Sequence, residues 1–415
     1  MARIHFIGIG GVGMNGLAQL ASMGSHVVTG SDRSCDPETF LFKCLVHEGV
    51  ELFPQDGSGI TEETDQVVYS TAIEDDNPDL QKAKLLGIPL LHRAEFLNQL
   101  IGDSELIAVA GTAGKTTTTG LLGWIFECMG LDPTVYNGAA VLNWKSNQRY
   151  GNVRKGTKGP WIIEADESDG SFLNFRPTHS IITNISKDHF ELDELHEMFN
   201  RFETLTSGAT IRGPISQPDS LAISMPGRHN QENACCAFAL CQALGMDERL
   251  VRSAIASFKG IERRLETVGI SHGVTVIDDY AHNPAKIAAT LSAVAEGHET
   301  VHAYWRPHGF GPLAQHLEEL ANVFARHHLE TGGSIFILPV YYAGGSVERN
   351  VSSEDLVDRI LAHGAHAETA PGYDALKKRL EDLAKSGDAV VGMGARDPML
   401  PNFARQLVDE WKTND

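Results

Sequence analysis

The sequence is poor in cysteine, in basic side chains and in long apolar runs. Its six cysteines in 415 residues lack the spacing of a metal site or a disulfide framework, which favours the reducing cytoplasm. No apolar run approaches the ~20 residues that a membrane-spanning helix needs. The N-terminus has no secretory pattern. We therefore expect a cytoplasmic protein without a membrane partner.

Positive charge is the scarcest property, since 34 Lys and Arg face 54 Asp and Glu, for a formal net charge of −20. A field of that sign repels nucleic acid and anionic membranes, so we expect no nucleic-acid partner. A phosphate ligand would have to be bound by backbone amides and a few well-placed cations.

What the chain does contain is a repeated alternation of short apolar strands and helices. Strands at Arg3–Ile9 and His26–Gly30 enclose a helix at Gly13–Met23, and similar patterns begin at Leu106 and near Glu266. Such βαβ runs predict parallel sheets covered by helices. Further segments are predicted as strands at Ser180–Ile185 and Ser334–Val340 and as a helix at Pro312–Phe324.

The predicted fold class is α/β, with three consecutive domains. We expect a Rossmann-like N-terminal domain over residues 1–103 and a P-loop-type central ATPase domain over 104–265. A Rossmann-like C-terminal domain would cover 266–415.

The strongest single motif is AVAGTAGKTTTT, from Ala108 to Thr119, which lies between an apolar strand and a helix. It is shorter than the usual GxxxxGK[ST] loop but has the same chemistry. Glycines let backbone N–H groups face phosphate oxygens, and the helix N-terminus adds partial positive charge. Lys115 would reach the terminal phosphates, and the Thr116 hydroxyl would hold Mg²⁺.

A second glycine motif, GIGGVGMNG, starts at Gly8, and Asp32 follows at the end of the next strand. Gly8, Gly10 and Gly13 match GxGxxG. The motif by itself is compatible with NAD, FAD, another nucleotide diphosphate, or only a tight packing turn.

Carboxylates follow the strand Trp161–Ile163 in the segment EADESDGS, from Glu164 to Ser171. Acidic residues at the carboxyl edge of a sheet that also carries a phosphate loop suit Mg²⁺. Because Mg²⁺ takes one or two carboxylates, some of Asp166, Glu167 and Asp169 would form only a solvated turn. His189 lies one strand further along the presumed sheet.

Six segments together resemble the Mur ligases, the ATP-dependent amide-bond synthetases of peptidoglycan assembly. They occur in the family's order and read GTAGKTTTT, EADESD, TNISKDH, GRHNQENA, ERRLE and DDYAHNP. The segments HFIGIGGVGMNGLA, STAI and HRAEFL are similar to the branch that joins L-alanine to the carboxylate of UDP-N-acetylmuramate. A neighbouring branch attaches a tripeptide to the same sugar nucleotide.

This resemblance implies ATP and Mg²⁺ as cofactors, with UDP-N-acetylmuramate and a small amino acid as substrates. It is compatible with a monomer or a homodimer. The implied catalytic residues are Lys115, Glu164, His189 and Arg264, of which Glu164 and His189, together with Thr116, would serve the metal. The implied ATP-binding residues are Gly111, Thr112, Gly114, Lys115, Thr116, Thr117, Asn230, Asn233, Arg264 and Asp279. The implied substrate-binding residues are Gly10, Gly11, Gly13, Met14, Asp32, Ser70, Thr71, Arg306 and His308.

Three features depart from the alanine-adding pattern. Ala113 occupies a loop position where that branch usually has His, and the segment between His189 and Gly227 is shorter than usual. In WRPHGFGP, from Trp305 to Pro312, glycines replace bulky donors near the expected amino-acid site. The identity of the incoming amino acid therefore stays open.

Two other classes of function remain at this stage. A nicotinamide-dependent oxidoreductase would use the first glycine loop and Asp32, but it leaves the second loop and Glu164 unexplained. A non-catalytic paralogue would keep the nucleotide sites and lack turnover.

Overall fold

The computed structural model describes residues 1–168, 170–186, 191–216, 220–341 and 349–412. The chain divides into two compact units. The first unit comprises Met1–Ser224 and His229–Ile261, and the second comprises Met225–Arg228 and Glu262–Asp415. The first unit carries two sheets and the second carries one. The three-domain α/β fold class is thereby confirmed, whereas the boundaries at 103 and 265 stay predictions.

The first sheet has five parallel strands in the order β3-β2-β1-β4-β5. Its elements are β1 (Arg3–Ile7), α1 (Val12–Met23), β2 (Val27–Ser31), α2 (Phe40–His47), β3 (Glu51–Phe53), β4 (Gln66–Tyr69), α3 (Pro78–Leu86), β5 (Leu90–His92) and α4 (Arg93–Ile101). Strand β1 ends two residues before the predicted Ile9 because Gly8, at φ +73°, turns the chain out of the sheet.

The second sheet has the order β11-β10-β6-β9-β7-β8 and is parallel except at β8. Its elements are β6 (Leu106–Ala110), α5 (Lys115–Cys128), β7 (Thr134–Tyr136), β8 (Val153–Arg154), β9 (Trp161–Glu164), β10 (His179–Ile182), α6 (Leu192–Thr204), β11 (Thr210–Arg212), α7 (Arg228–Ala243) and α8 (Glu248–Ala256). Strand β10 ends at Ile182, short of the predicted Ile185, because the following residues turn to contact the glycine loop after β6.

Buried amides join α1 to the second sheet. Gln19 donates to the Asn152 side chain at 3.0 Å, and Asn152 donates to the Asn15 side chain at 2.7 Å. All three residues are buried, so leaving any of their polar atoms unpaired would cost about 1–3 kcal/mol. This pairing fixes α1, and with it the glycine loop that precedes α1, against the central sheet.

The sheet of the second unit has the order β12-β13-β17-β14-β15-β16, with only β12 antiparallel to its neighbour. Its elements are β12 (Glu266–Ser271), β13 (Val274–Asp279), α9 (Pro284–Ala295), β14 (Val301–Trp305), α10 (Phe310–Gln315), α11 (Leu317–Thr331), β15 (Ile335–Ile337), α12 (Ser353–Ala362), β16 (Ala367–Thr369), α13 (Tyr373–Leu383), β17 (Ala389–Met393) and α14 (Met399–Lys412).

Two sequence-based predictions in this unit were wrong in extent. The helix expected over Pro312–Phe324 is two helices, α10 and α11, separated at His316, whose φ of −115° and ψ of 17° are not helical. The strand expected over Ser334–Val340 covers only Ile335–Ile337. Pro339 has no N–H to donate to a ladder, so the strand stops before it.

Among the described residues, no helix is long and apolar enough to cross a membrane.

Candidate active site

The first glycine loop lies where β1 ends, beside the end of β2. The amides of Gly8 and Ile9 donate to the Ser31 carbonyl at 2.8 and 2.9 Å, which closes the turn between the two strands. Gly11 is the N-cap of α1 and uses no side-chain cap. The first N–H groups of α1 therefore remain available for an anionic ligand.

Asp32, predicted to bind substrate, has its carboxylate on this loop. Its Oδ2 accepts from the Gly10 amide at 2.9 Å, and its Oδ1 accepts from the Ser34 amide at 2.8 Å. A Cβ on Gly10 would lie 2.9 Å from the same Oδ2, so only glycine fits that contact without movement. Asp32 holds the loop in shape and also lines an adjacent groove.

That groove has a volume of about 990 Å³ and follows the ends of β2 and β3. Besides Asp32 it is lined by Arg33, Cys35, Phe53 and Pro54, among others. A groove lined by both apolar and polar side chains suits a planar base. The sequence did not indicate these lining residues, because they come from two separate turns.

The other residues predicted for the sugar nucleotide are placed as follows. Ser70 and Thr71 follow β4, which neighbours β1, so they share the carboxyl edge with the glycine loop. The Met14 side chain is buried in the core at 3% exposure, so it offers a ligand only its backbone N–H.

The second glycine loop connects β6 to α5 and has a conformation that requires glycine. Gly111 has φ +128° and Gly114 has φ +82°. A Cβ on Gly111 would lie 2.1 Å from Thr183 Oγ1, and one on Gly114 would lie 2.1 Å from Asn233 Oδ1. The loop is thus closely covered from two sides by side chains of the same unit.

Residues after β10 support this loop through paired hydrogen bonds. The Thr112 hydroxyl donates to Asn184 Oδ1 at 2.7 Å, and the Ala113 amide donates to the same oxygen at 3.0 Å. Thr183 and Asn184 in turn donate to the Ala113 carbonyl. Ala113 itself is exposed. The backbone amide and carbonyl of Ala113 are therefore both hydrogen-bonded, although the residue lacks the His side chain that the alanine-adding branch usually has at this position.

Lys115, the first residue of α5, is paired with an acid that the sequence left undistinguished. Its Nζ donates to Glu167 Oε2 at 2.6 Å and to the Gly111 carbonyl at 2.7 Å. Glu167 is 2% exposed, and burial raises its pKa although the nearby ammonium acts in the opposite direction. Asp166 is 41% exposed and lies 4.0 Å from the same Nζ. The interpretation of this segment as partly a solvated turn thus applies to Asp166 and not to Glu167.

Glu164 ends β9 and faces the start of α5. The Thr116 hydroxyl donates to Glu164 Oε1 at 2.9 Å, and the Gly138 amide donates to Oε2 at 2.7 Å. A threonine hydroxyl beside a carboxylate is an oxygen pair that suits Mg²⁺. Thr117 is buried one residue further along α5. His189, the third predicted metal residue, and Asp169 lie outside the described residues.

Tyr136, at the end of β7, contacts the first glycine loop. Its hydroxyl donates to the Gly13 carbonyl at 3.0 Å. Burial raises the pKa of Tyr136 to about 12, so the hydroxyl stays protonated and remains a donor. Tyr136 could not be predicted from the sequence, since no motif there connects β7 with the first loop.

The two asparagines predicted near ATP are buried on α7. Asn233 contacts Gly114, as the close approach described above requires, and Asn230 lies one turn earlier on the same helix. Asn233 therefore lies beside the second glycine loop, and the contact of both asparagines with ATP stays a prediction.

In the second unit, Arg264 and Tyr280 lie together. The guanidinium of Arg264 is 5.2 Å from the ring centroid of Tyr280, and that of the preceding Arg263 is 5.3 Å from it. Arg263 is otherwise bound inside the unit, to Asp278 and to the Gly394 carbonyl. Asp279 is buried and accepts hydrogen bonds from the Leu265 and Ala281 amides, at 2.6 and 2.7 Å, so its contact with ATP stays a prediction.

Arg306 and His308 follow β14 in the same unit. Arg306 donates to the buried Asp397 and lies over the rings of Tyr341 and Tyr373. His308 packs edge-on against His282, with ring centroids 5.1 Å apart. Burial lowers the pKa of His282 to about 4, and burial also lowers the pKa of His308. These two imidazoles are neutral at pH 7 and line the carboxyl edge of the third sheet.

The first unit therefore brings both glycine loops, Glu164 and the α7 asparagines into one neighbourhood. The predicted residues Arg264, Asp279, Arg306 and His308 belong to the second unit.

Comparison with known proteins identifies related domains along the chain. Residues 3–104 match the catalytic domain of the Mur ligase family, residues 109–210 match the Mur ligase middle domain, and residues 263–396 match the Mur ligase glutamate ligase domain. The UDP-N-acetylmuramate–L-alanine ligase of Agathobacter rectalis is 33% identical, with 95% of each chain covered. That of Dinoroseobacter shibae is 34% identical, again with 95% of each chain covered.

Solved structures agree on the fold. The UDP-N-acetylmuramate–alanine ligase of Thermotoga maritima matches with a TM-score of 0.83 over 100% of both chains, at 24% identity. A murein peptide ligase of Psychrobacter arcticus matches with a TM-score of 0.66 over 99% of both chains, at 23% identity.

Proposed function

This chain belongs to the Mur ligase family and is an ATP-dependent, amide-bond-forming ligase, and on that premise we propose that it joins L-alanine to UDP-N-acetylmuramate in peptidoglycan synthesis. The choice of sugar nucleotide and amino acid is supported by the names of its relatives, which cover nearly the full length of the chain.

One structural observation supports this proposal above the others. The two glycine loops belong to one unit and are joined by a short series of contacts. Gly13 accepts a hydrogen bond from Tyr136, while Asp166 on the acidic turn is near both Arg93 and Lys115. Phosphoryl transfer from ATP to a carboxylate needs the two substrates side by side, and these loops would bind them side by side.

In the first step, a carboxylate oxygen of the sugar nucleotide would bond to the γ-phosphorus of ATP, and ADP would leave. The backbone amides from Gly111 to Gly114 would bind the phosphates, and Lys115 would exchange Glu167 for the transferred phosphoryl group. Thr116 and Glu164 are the described residues that would hold Mg²⁺. When bound, Mg²⁺ neutralises charge on the phosphates.

In the second step, the neutral amine would attack the acyl carbon, and phosphate would leave with the electrons of the C–O bond. The amine must first lose a proton, because an ammonium group has no lone pair. Solvent water would take that proton before the attack.

The test is phosphate release by the purified protein with ATP, Mg²⁺ and UDP-N-acetylmuramate, assayed against a panel of amino acids and the tripeptide. We expect release only with the sugar nucleotide and an amino acid together, and the fastest release with L-alanine. Release with the tripeptide alone would move the protein to the recycling reaction. If no acceptor in the panel stimulates phosphate release, the protein is a non-catalytic paralogue or uses an acceptor outside the panel. Either result contradicts the proposal.

A further inference from the structure

The position of Arg93 is set by the start of helix α4. It is the first residue of α4, directly after β5. The helix start is fixed by a capping box, in which the His92 amide donates to Glu95 at 3.0 Å and the Ala94 amide donates to His92 Nδ1 at 3.4 Å. The capping box therefore fixes the direction in which the Arg93 side chain leaves the backbone.

The guanidinium of Arg93 lies between the two glycine loops. Its Nη1 is 3.1 Å from the position of a Cβ on Gly13. Its Nη2 is 3.7 Å from Asp166 Oδ2 on the acidic turn. The guanidinium also lies beside the Tyr136 hydroxyl, since both approach the same position on Gly13. The side chain is 24% exposed, so it is largely held by protein and still open to a ligand.

Charge argues for a role beyond structure. Glu164, Asp166 and Glu167 make this neighbourhood acidic, and the proposed reaction adds a substrate carboxylate and the phosphates of ATP. Such a site requires cations, and Lys115 is assigned to the phosphates by its position in the ATP loop. Arg93 contacts the same acidic turn from the side of the sugar-nucleotide loop.

We propose that Arg93 binds the carboxylate of the sugar nucleotide that becomes phosphorylated, taking it in place of Asp166. This inference rests on the proposed function. The planar guanidinium matches a carboxylate with two parallel hydrogen bonds, which would turn one oxygen toward the ATP loop. Asp166 then acts as the partner of Arg93 before substrate arrives. All these groups belong to the first unit.

The test compares two ligands without ATP by calorimetry. UDP-N-acetylmuramate carries the carboxylate on a lactyl ether, and UDP-N-acetylglucosamine is the same nucleotide and sugar without that ether. We expect the wild-type protein to bind the first ligand about 10- to 100-fold more tightly, as a charge-assisted pair allows. Arg93→Met should remove that preference and leave the affinity for UDP-N-acetylglucosamine unchanged. Arg93→Lys should keep part of it.

Control variants separate this role from a structural one. Tyr136→Phe removes a partner of Arg93 and the contact with Gly13 while leaving the guanidinium in place, so it should keep the preference between the two ligands. Asp166→Asn should strengthen binding of UDP-N-acetylmuramate alone. Equal weakening of both ligands by Arg93→Met and Arg93→Lys would overturn the proposal, since it would make Arg93 merely structural.

The experiments distinguish a failure of this assignment from a failure of the proposed function. If the wild-type protein releases phosphate normally but Arg93→Met keeps the full preference, only the assignment of Arg93 fails. If the wild-type protein shows the preference and releases no phosphate with any acceptor, the proposed function fails while Arg93 is supported as a carboxylate site.

Discussion

Asn233 lies against Gly114 so closely that a Cβ on the glycine would be 2.1 Å from the Asn233 amide oxygen. The contact joins α7 to the second glycine loop, two segments far apart in the sequence. Position 114 therefore needs glycine for two reasons. A side chain would have no space there, and the backbone φ is +82°.

Gly114→Ala is therefore expected to abolish ATP binding, because the methyl group would push the loop away from α7 and strain its backbone. Gly130→Ala is the matched control at the other end of α5. Gly130 also has positive φ, at +73°, but a Cβ there meets nothing within 4 Å. The Gly130→Ala variant should lose about 1 kcal/mol of unfolding free energy and keep the ATP affinity of the wild type. Calorimetric titration with ADP and thermal melting measure both, and normal nucleotide binding by Gly114→Ala would contradict this account.

Lys115→Met is expected to abolish phosphate release and to leave sugar-nucleotide binding unchanged. It also leaves the buried Glu167 without its cation, which should destabilise the protein by roughly 2–3 kcal/mol. Adding Glu167→Gln should restore most of that stability and no activity. Denaturation and phosphate-release assays on the single and double variants separate the two effects. Restored turnover in the double variant would show that Lys115 acts only as a partner for Glu167.

Thr116→Val is expected to lower the turnover rate on the order of 100-fold and to raise the Mg²⁺ concentration needed for half-maximal rate. The change removes the hydroxyl that contacts Glu164 and keeps the size of the side chain. Thr116→Ser keeps the hydroxyl and should stay within a few-fold of the wild-type rate. Mg²⁺ titrations of the rate distinguish them, and identical curves for Val and Ser would rule out a metal role for this hydroxyl.

Acid should destabilise the second unit through His282. Its pKa of about 4 in the folded protein is below the usual value of ~6.5, so the unfolded chain takes up a proton first as the pH falls. The stabilising effect of the neutral ring is complete above pH ~7 and is lost progressively toward pH 4. Between pH 7 and pH 5 the wild type should lose roughly 2 kcal/mol of unfolding free energy relative to His282→Phe. Urea unfolding at both values measures the difference, and a pH-independent difference would refute it.

Some features were predicted from the sequence because they are local. Strand β6 begins at the predicted Leu106, and β9 covers the predicted Trp161–Ile163 and one residue more, since continuous apolar runs flanked by glycine or acidic residues mark buried parallel strands clearly. Errors occurred where a single residue changes the hydrogen bonding, as Pro339 does after β15. Short polar helices such as α3 were missed, although Asn77 caps α3 and Gly87 ends it.

The candidate site was predicted in part. The second glycine loop and Glu164 could be named as candidates because each belongs to a motif of consecutive residues. Tyr136, Arg93 and Glu167 were not singled out, since their importance depends on partners from other segments.

The order of residues along the chain was enough to determine both glycine loops, because each needs only a strand, a turn without side chains and a helix in succession. Tertiary structure alone decided that Glu167 is buried on Lys115 while its neighbour Asp166 stays half-exposed beside Arg93. Adjacent residues of equal charge are equivalent in a sequence. They become different only when distant segments surround one with protein and leave the other to water.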